Sequence, residues 1–429
     1  MEKFDLSKIK KVFFVGIGGI GISAIARMML LEGKDVFGSD ISMSGITDEL
    51  QRLGAKITLG QAMELIPKDV ELVIFSLSVA QYDPKFFTEL NNSGVKKLSY
   101  PEALGIVTSN KYTIAVSGTH GKTTTTAMIG KILLDAKLDP SVIVGSLLKE
   151  SKSNLIIGRS KYFVVEACEY KRAFLNIKPK ILVITNIEAD HLDYYKDLED
   201  IKSAFKQLEK QSEKVISDYS KYLDKVPKLL VPGQHNRMDA AAALAVADLL
   251  GIKEEIAQKS LSEFTGTWRR LEKKGVTKEG TIIYDDYAHH PTEVKASLEA
   301  LRELYPKGHL PTGQAGKRIT VLFQPHLYSR TKALFDEFVT CFDDADNVLL
   351  LPIYFARENP DQEVSSEKLA IAMRTHRGEV TAFSSFTEAE ERVSRMKLGE
   401  NDVFVTMGAG EAYKVAEKVF PDLVSGPRL

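Results

Sequence analysis

The chain has 429 residues, a length that predicts roughly two to four domains. Hydrophobic residues make up 44% and charged residues 27%, and the formal net charge of −1 excludes an electrostatic argument for a nucleic-acid or anionic-membrane partner. The two cysteines, Cys168 and Cys341, exclude a disulfide framework and fit a reducing cytosol.

The N-terminal segment superficially resembles a signal peptide, because lysines precede the apolar run from Val12 to Leu31. That run contains Arg27 and a cluster of glycines, and its pattern predicts a strand, a turn and then a helix. These features argue against export and against a membrane span. We therefore expect a cytoplasmic protein.

A strand over Lys11–Gly16 opens the first α/β block and leads into a glycine-rich turn. Gly16, Gly18 and Gly21 fit the dinucleotide-binding pattern G-x-G-x-x-G, and Asp40 follows about twenty residues later. A pyrophosphate can bind at such a helix N-terminus, while Asp40 can hydrogen-bond a sugar hydroxyl or a base. Any nucleoside diphosphate would fit this pattern. A turn needed only for close strand–helix packing is the alternative.

A second glycine-rich turn, residues 117–124, follows the apolar run Tyr112 to Val116 and opens a helical stretch. Backbone N–H groups and the positive end of the helix dipole attract phosphate at such a turn. Lys122 adds a charge for the outer phosphates, and the Thr123 hydroxyl can join a Mg²⁺ shell. The common P-loop spacing places glycine where Val116 stands, so the loop is a variant. Two phosphate loops in separate domains indicate a ligase or kinase rather than a dehydrogenase.

Acidic residues follow two apolar strands of this second block, residues 162–165 and 181–185. Glu166 comes directly after the first strand, and Asp190 and His191 follow the second. Ligands bind at the carboxyl ends of strands in open parallel sheets, and Mg²⁺ prefers oxygen ligands. Glu166 and His191 are therefore our metal candidates. The alternative is that Asp190 and His191 cap a helix and Glu166 faces solvent.

The Pro/Gly-rich segment 306–316 separates the second block from a third, where α/β alternation resumes at Arg318–Phe323. Arg330, in a polar segment after that strand, can hold the carboxylate of an amino acid with two hydrogen bonds, although a solvated basic turn is the alternative.

We predict an α/β fold of three domains. They are a Rossmann-like N-terminal domain (1–108), a central P-loop ATPase-like domain with a mostly parallel sheet (109–307), and a C-terminal Rossmann-like domain (308–429).

Together these segments resemble the Mur ligase family, the ATP-dependent amide-bond ligases of peptidoglycan precursor synthesis. The family's phosphate loop reads Gly-Thr-x-Gly-Lys-[Ser/Thr], as residues 118–123 do, which accounts for Val116. The other matching segments, in family order, are Gly16–Gly21, Glu166, Asn186 to His191, Gly233 to Asn236, Arg269-Arg270 and Asp286 to His289. The resemblance covers essentially the whole chain. Residues 16–21, 285–293 and 323–326 are most similar to the branch that adds the first amino acid.

The resemblance implies that the small-molecule substrates are UDP-N-acetylmuramate, L-alanine and ATP, that Mg²⁺ is the cofactor, and that the protein is a monomer or homodimer. The lactyl carboxylate would attack the γ-phosphate of ATP, and the amino group of L-alanine would then attack the resulting acyl phosphate. The residues implied are Gly18, Gly19, Ile20, Gly21 and Asp40 for the UDP-sugar; Gly118, Thr119, His120, Gly121, Lys122, Thr123, Thr124, Asn236, Arg270 and Asp286 for ATP; Thr123, Glu166 and His191 for metal; His326 and Arg330 for the amino acid; and Lys122, Glu166, His191, His289 and Arg330 for catalysis.

Departures from the family pattern affect the expected contacts at three positions. The family often has Asn where Asp239 stands, at the expected base contact, and a basic residue where Leu327 stands, near the expected amino-acid site. Other Mur ligases carry a carbamylated lysine at about the distance of Lys206 from His191, but the local pattern aligns Phe205 there.

Three other functions stay open on sequence alone. The nearest is the related ligase that attaches a preformed tripeptide to UDP-N-acetylmuramate, which predicts a larger amino-acid pocket and a different N-terminal glycine pattern. An NAD-dependent oxidoreductase would use Gly16–Gly21 but leave Lys122 and Glu166 unexplained. A non-enzymatic nucleotide-binding regulator would leave the cluster around Arg330 without a role.

Overall fold

The computed structural model describes residues 5–149, 153–308, 316–355 and 358–424. Strands and helices alternate along the chain and form three sheets, in which most neighbouring strands are parallel. The α/β fold class expected from the sequence is confirmed. No helix within the described ranges is long and apolar enough to cross a membrane.

The first sheet has five parallel strands in the order β3-β2-β1-β4-β5. The strands are β1 (Lys11–Val15), β2 (Asp35–Asp40), β3 (Lys56–Leu59), β4 (Leu72–Phe75) and β5 (Lys97–Ser99), and the helices are α1 (Ile20–Leu31), α2 (Gly45–Arg52), α3 (Val79–Tyr82), α4 (Pro84–Asn92) and α5 (Tyr100–Thr108), with 3₁₀ turns at Leu6–Lys8 and Met63–Leu65. The central strand β1 reads Val-Phe-Phe-Val over its buried positions, as expected for a parallel strand covered on both faces.

The second sheet has six strands in the order β11-β10-β6-β9-β7-β8, and only the β7–β8 hairpin is antiparallel. Its strands are β6 (Tyr112–Ser117), β7 (Ser141–Leu148), β8 (Ser153–Ile156), β9 (Tyr162–Glu166), β10 (Ile181–Ile184) and β11 (Lys214–Ile216). The accompanying helices are α6 (Lys122–Asp135), α7 (Leu198–Lys210), α8 (Gln234–Leu249) and α9 (Glu254–Ser262), with 3₁₀ segments at Tyr170–Asn176 and Ser220–Lys225. Glu166 was predicted to follow β9 and His191 to follow β10. Both strands lie beside β6, which leads into the phosphate loop.

The third sheet also has six strands, in the order β12-β13-β17-β14-β15-β16. Its strands are β12 (Glu272–Val276), β13 (Ile282–Asp286), β14 (Arg318–Phe323), β15 (Asn347–Leu350), β16 (Val380–Ala382) and β17 (Asp402–Met407), and its helices are α10 (Pro291–Leu304), α11 (Tyr328–Ala333), α12 (Phe335–Thr340), α13 (Ser366–Arg377), α14 (Phe386–Ser394) and α15 (Tyr413–Val419). Strand β13 belongs to this sheet because it pairs along its length with β17, although the sequence had grouped it with the second block. The predicted domain bounds stay a prediction.

By its contacts the chain divides into two compact units. The first comprises residues 1–189, 194–226 and 239–261 and contains the first two sheets, whereas the second comprises residues 190–193, 227–238 and 262–429 and contains the third sheet. A continuous apolar core in the first unit includes side chains from β1, α1, β9 and α7. In the second unit, apolar cores cover both faces of the third sheet.

Candidate active site

The first glycine turn connects β1 to α1 and is held by Asp40 at the end of β2. The Gly18 N–H donates to Asp40 Oδ2 at 2.8 Å, and the Ser42 N–H donates to Oδ1 at 3.2 Å. A Cβ on Gly18 would lie 3.0 Å from Asp40 Oδ2, so the close approach favours glycine. Gly19 is the N-cap of α1, and the first N–H groups of a helix have no acceptor within it. Asp40 therefore anchors the predicted diphosphate-binding turn in addition to facing it.

The second glycine turn connects β6 to α6 and rests on the end of the neighbouring strand β10. The Thr119 N–H donates to the Asn186 carbonyl at 3.0 Å, and the His120 N–H donates to Asn186 Oδ1 at 2.9 Å. Gly118 has φ 140° and Gly121, the N-cap of α6, has φ 79°, both in the region that favours glycine. The loop thus has the strand–turn–helix geometry that a phosphate cradle requires.

Lys122 folds back over this loop. Its Nζ donates to the Gly118 carbonyl at 2.5 Å, to the Thr119 carbonyl at 2.9 Å and to Glu169 Oε1 at 3.0 Å. Desolvation opposes the charged form, but Glu169 first, and Cys168 and Glu166 after it, outweigh desolvation and raise the pKa of Lys122. Lys122 is therefore cationic at neutral pH and lies where phosphate would bind.

The two oxygen ligands predicted for a metal in the first unit lie together. Thr123 Oγ1 donates to Glu166 Oε2 at 2.8 Å, and the same carboxylate oxygen accepts the Gly145 N–H of β7 at 2.7 Å. Gly145 has no room for a side chain, since a Cβ would lie 2.6 Å from both oxygens of Glu166. Sequence reasoning gave no signal for Gly145, because it lies in an unremarkable strand 21 residues before Glu166.

Asp239, one of the departures from the family pattern, packs against the phosphate loop. It is buried, and its Oδ1 accepts the Thr125 hydroxyl of α6 at 3.0 Å. A Cβ on Gly121 would lie 2.3 Å from the same oxygen. Thr124, the last predicted residue of the loop, is also buried in the first turns of α6. Asp239 thus supports the loop through a side-chain hydrogen bond.

Arg330 is held in the second unit by an ion pair. Its Nε and Nη2 both donate to Asp190 Oδ1, at 3.1 and 2.8 Å, and both side chains are largely buried. Burial would raise the pKa of Asp190, but Arg330 first, and His191 and His289 after it, hold that pKa well below its usual range. Arg330 Nη1 donates to His326 Nδ1 at 2.9 Å. The predicted amino-acid residues Arg330 and His326 are therefore in contact, together with Asp190.

His289 lies beside this cluster, and its ring centroid is 5.5 Å from that of His326. Its Nδ1 is 2.9 Å from the Tyr287 carbonyl, so this nitrogen carries the proton and donates. Desolvation lowers the pKa of His289 to about 4. His289 is thus neutral near pH 7. His191, which has φ 54°, lies next to Asp190 and donates its backbone N–H to Asp190 Oδ1 at 2.7 Å.

The residues predicted at the nucleotide in the second unit are linked to one another. Besides desolvation, which is the larger cause, the charge of Arg270 acts to lower the pKa of both Asp286 and His235. The Asn236 side chain contacts the His235 ring at 3.1 Å. Asn236 donates from Nδ2 to the Pro232 carbonyl at 2.6 Å. Asp286, at the end of β13, accepts the Ser297 hydroxyl at 2.6 Å, and desolvation raises its pKa to about 6. Arg270 lies 3.7 Å from Glu293 and over the Tyr287 ring at 5.3 Å.

Arg269 and Arg270, adjacent in sequence, have different environments. Arg269 is buried and donates to Asp285 Oδ2 at 2.7 Å and to the Gly408 and Gly410 carbonyls at 2.7 and 3.1 Å. Its φ of 54° turns the chain so that the following arginine is partly exposed. The sequence indicated both arginines but did not predict that Arg269 makes buried hydrogen bonds within the protein while Arg270 stays more accessible.

Lys206 is exposed on α7, whereas Phe205 is buried in the core of the first unit. This arrangement agrees with the sequence pattern, which aligns Phe205 rather than Lys206 with the modified lysine of other Mur ligases. Leu327, the other departure, is buried and has φ 72°. It occupies the N-cap position of α11, the helix that carries Arg330.

The chain matches the models of a known ligase family over most of its length. Residues 11–112 match the Mur ligase family catalytic domain, residues 116–225 the Mur ligase middle domain, and residues 269–410 the Mur ligase glutamate ligase domain. The chain belongs to the Mur ligase family.

Among its relatives, a UDP-N-acetylmuramate–L-alanine ligase of Clostridium kluyveri is 37% identical, over 96% of this chain and 98% of that protein. The enzyme of the same name from Clostridium tetani is 38% identical over 96% of this chain and 99% of its own. A solved UDP-N-acetylmuramate–alanine ligase from Thermotoga maritima superposes with a TM-score of 0.79 at 26% identity, covering 95% of this chain and 98% of that one.

Proposed function

We propose that this chain joins L-alanine to the lactyl carboxylate of UDP-N-acetylmuramate at the expense of ATP, in peptidoglycan precursor synthesis. The observation that carries the proposal is the near full-length similarity to alanine-adding ligases, at 36–38% identity over 96% of the chain. The cationic Lys122 over a strand–turn–helix phosphate loop supplies the chemistry that ATP requires.

The first step joins two anions, a carboxylate and a triphosphate, so the site must neutralise charge. Lys122 and the N–H groups of residues 118–124 would bind the phosphates of ATP and stabilise the charge that builds up on the transferred phosphoryl group. Asn236, Arg270 and Asp286 are proposed to bind the nucleotide as well. The product of this step is an acyl phosphate and ADP.

Mg²⁺ fits the oxygen ligands of the first unit. Thr123 Oγ1 and Glu166 Oε2 lie 2.8 Å apart at the start of α6, and a hydroxyl with a carboxylate is the donor set that this hard cation takes beside phosphates. Bound there, Mg²⁺ would neutralise phosphate charge. His191 is proposed to lie near a second ion.

The second step is attack of the amino group of L-alanine on the acyl phosphate, which forms the amide and releases phosphate. We propose that Arg330, His326 and His289 position the amino acid. Arg330 Nε and Nη2 already donate to Asp190, so they are not both free to bind the carboxylate of the amino acid. We propose that Arg330 holds the cluster together and binds the amino acid only through its remaining N–H groups.

In the UDP-sugar site, the turn from Gly18 through Gly19 and Ile20 to Gly21 is proposed to bind the diphosphate. Asp40 accepts the Gly18 N–H and so holds the turn open toward the ligand. A cytoplasmic location is also proposed, because the substrates are small soluble molecules of precursor synthesis. A monomeric or homodimeric state is proposed from the family resemblance alone.

The second candidate function is ligation of a preformed tripeptide to UDP-N-acetylmuramate. A murein peptide ligase from Psychrobacter arcticus covers 97% of this chain with a TM-score of 0.69, but at 20% identity this likeness shows the fold alone.

Phosphate release from ATP, measured with UDP-N-acetylmuramate and a panel of amino acids and peptides, tests the proposal. We expect release with L-alanine. Release with a tripeptide and none with L-alanine would transfer the proposal to the second candidate, and tight nicotinamide binding without phosphate release would contradict both.

A further inference from the structure

Tyr100 lies at the carboxyl edge of the first sheet, where α5 begins directly after β5. Ser99 is the N-cap of α5: its Oγ accepts the Glu102 N–H at 3.4 Å, while the Glu102 carboxylate accepts the Ser99 N–H at 2.7 Å. This capping box fixes the direction in which the first helical residue, Tyr100, leaves the sheet. Part of its ring packs against the apolar core, and the residue is partly exposed.

The phenol of Tyr100 contacts the predicted diphosphate-binding turn. A Cβ on Gly21 would lie 2.6 Å from Cζ and 2.7 Å from Oη of Tyr100. Only glycine leaves room for the ring at this distance. The phenolic oxygen therefore lies at the first turn of α1, beside the N–H groups that are left without helical acceptors.

Helix α5 also packs against the segment that follows Glu166. A Cβ on Gly105 would lie 2.4 Å from the Asn176 carbonyl oxygen, so α5 and the 3₁₀ segment Tyr170–Asn176 are in backbone contact. Desolvation, and after it Cys168 and Glu166, raises the pKa of Tyr100. The phenol is therefore protonated at neutral pH.

The hydroxyl of Tyr100 has no hydrogen-bond partner among the residues that the structure describes. It is thus an O–H donor at the glycine turn that no described protein group accepts. This oxygen lies against Gly21, in the turn where the diphosphate of the substrate is proposed to bind. The part of a UDP-sugar between its nucleoside and its reacting carboxylate consists of phosphate and sugar oxygens, which accept hydrogen bonds.

We propose that Tyr100 is a substrate-contacting residue whose O–H donates to an oxygen at the diphosphate–sugar end of UDP-N-acetylmuramate. The inference rests on the proposed function, because that function supplies the ligand. Tyr100 would add a hydrogen-bond donor from α5 to those of the glycine turn before α1. Gly21 would then have a second role, because the absence of its side chain leaves space for the tyrosine ring.

The Tyr100→Phe variant tests this contact, because it keeps the ring and removes only the O–H. Calorimetric titration with UDP-N-acetylmuramate should show about a tenfold rise in Kd, equivalent to about 1.4 kcal/mol. The thermal midpoint should not change, since no protein hydrogen bond is lost. Tyr82→Phe is the matched control, because Tyr82 is exposed in the same block, and its Kd should equal that of the wild type.

The outcomes separate this inference from the proposed function. If the wild-type chain does not bind UDP-N-acetylmuramate, the proposed function fails, and the inference fails with it. If the wild type binds and Tyr100→Phe binds equally well, only the assignment of Tyr100 is overturned. A rise in Kd that comes with a lowered thermal midpoint would also overturn it, because the hydroxyl would then be structural.

Discussion

Gly145→Ala is expected to disturb the candidate metal site from a neighbouring strand. The new Cβ would lie 2.6 Å from both oxygens of Glu166, whereas ordinary contacts begin at 3.4 Å. The φ of Gly145 lies outside the left-handed region, so alanine adds no backbone strain there. The Glu166 carboxylate must therefore retreat by about 0.8 Å, and a misplacement of about 1 Å near a reacting centre costs on the order of 100-fold in rate.

Phosphate release, measured over a Mg²⁺ titration, checks this effect. We expect kcat to fall by about 30- to 100-fold and the Mg²⁺ midpoint to rise, with the Kd for UDP-N-acetylmuramate unchanged. Gly45→Ala is the control, because a Cβ on Gly45 meets nothing within 4 Å. A Gly145→Ala enzyme with normal kcat and normal Mg²⁺ dependence would refute the reasoning that Glu166 holds the cation.

Three further predictions concern the other charged groups. Lys122→Ala should abolish turnover but leave the binding of UDP-N-acetylmuramate, measured by calorimetry, unchanged. The reason is that the first glycine turn, which is proposed to bind that substrate, belongs to a different sheet. Loss of both turnover and binding would contradict the site assignment. Arg330→Met should lower the free energy of unfolding in urea by about 3 kcal/mol, because Asp190 would be left buried and unpaired, and adding Asp190→Asn should recover part of the loss. The pKa values of His235 and His289 are lowered to about 4, so the stability they contribute is fully present above about pH 6.5 and is lost as the pH falls toward 4. The thermal midpoint should fall over that range, and by less in His235→Asn.

The sequence predicted the parts of the fold that depend on local pattern. Apolar runs located strands such as β6 and β9, and the glycine turns located the start of α1 and α6. The α/β class followed from the alternation of these elements. Strand β13 was grouped with the second block, whereas it pairs with β17 of the third sheet. That pairing joins residues more than a hundred positions apart, and no local pattern encodes it.

In the candidate site, too, the sequence predicted residues that belong to local motifs but not contacts between distant parts of the chain. Thr123 and Glu166 were predicted as metal ligands from loop and strand-end positions, and the structure brings them into direct contact. The ion pair between Arg330 and Asp190 was not predicted, because the two residues lie 140 positions apart. Gly145 and Tyr100 were missed because small or aromatic residues in ordinary elements carry no motif, and their importance arises from what packs against them.

A buried polar network in the first unit links the first two sheets. Arg27 of α1 donates to Glu49 of α2 at 2.8 Å and to the Asn154 side-chain oxygen, and Asn154 of β8 donates to the Ile20 carbonyl and to Ser23 Oγ. Arg27 is 3% exposed and Asn154 is fully buried.

During synthesis on the ribosome, every strand of the first sheet emerges well before Asn154 does. Until then Arg27 has Glu49 but not its amide partner, and the first turn of α1 has not received the hydrogen bond to the Ile20 carbonyl. The nascent N-terminal sheet can therefore form early, whereas the start of α1 gains its last hydrogen bonds only when the β7–β8 hairpin arrives.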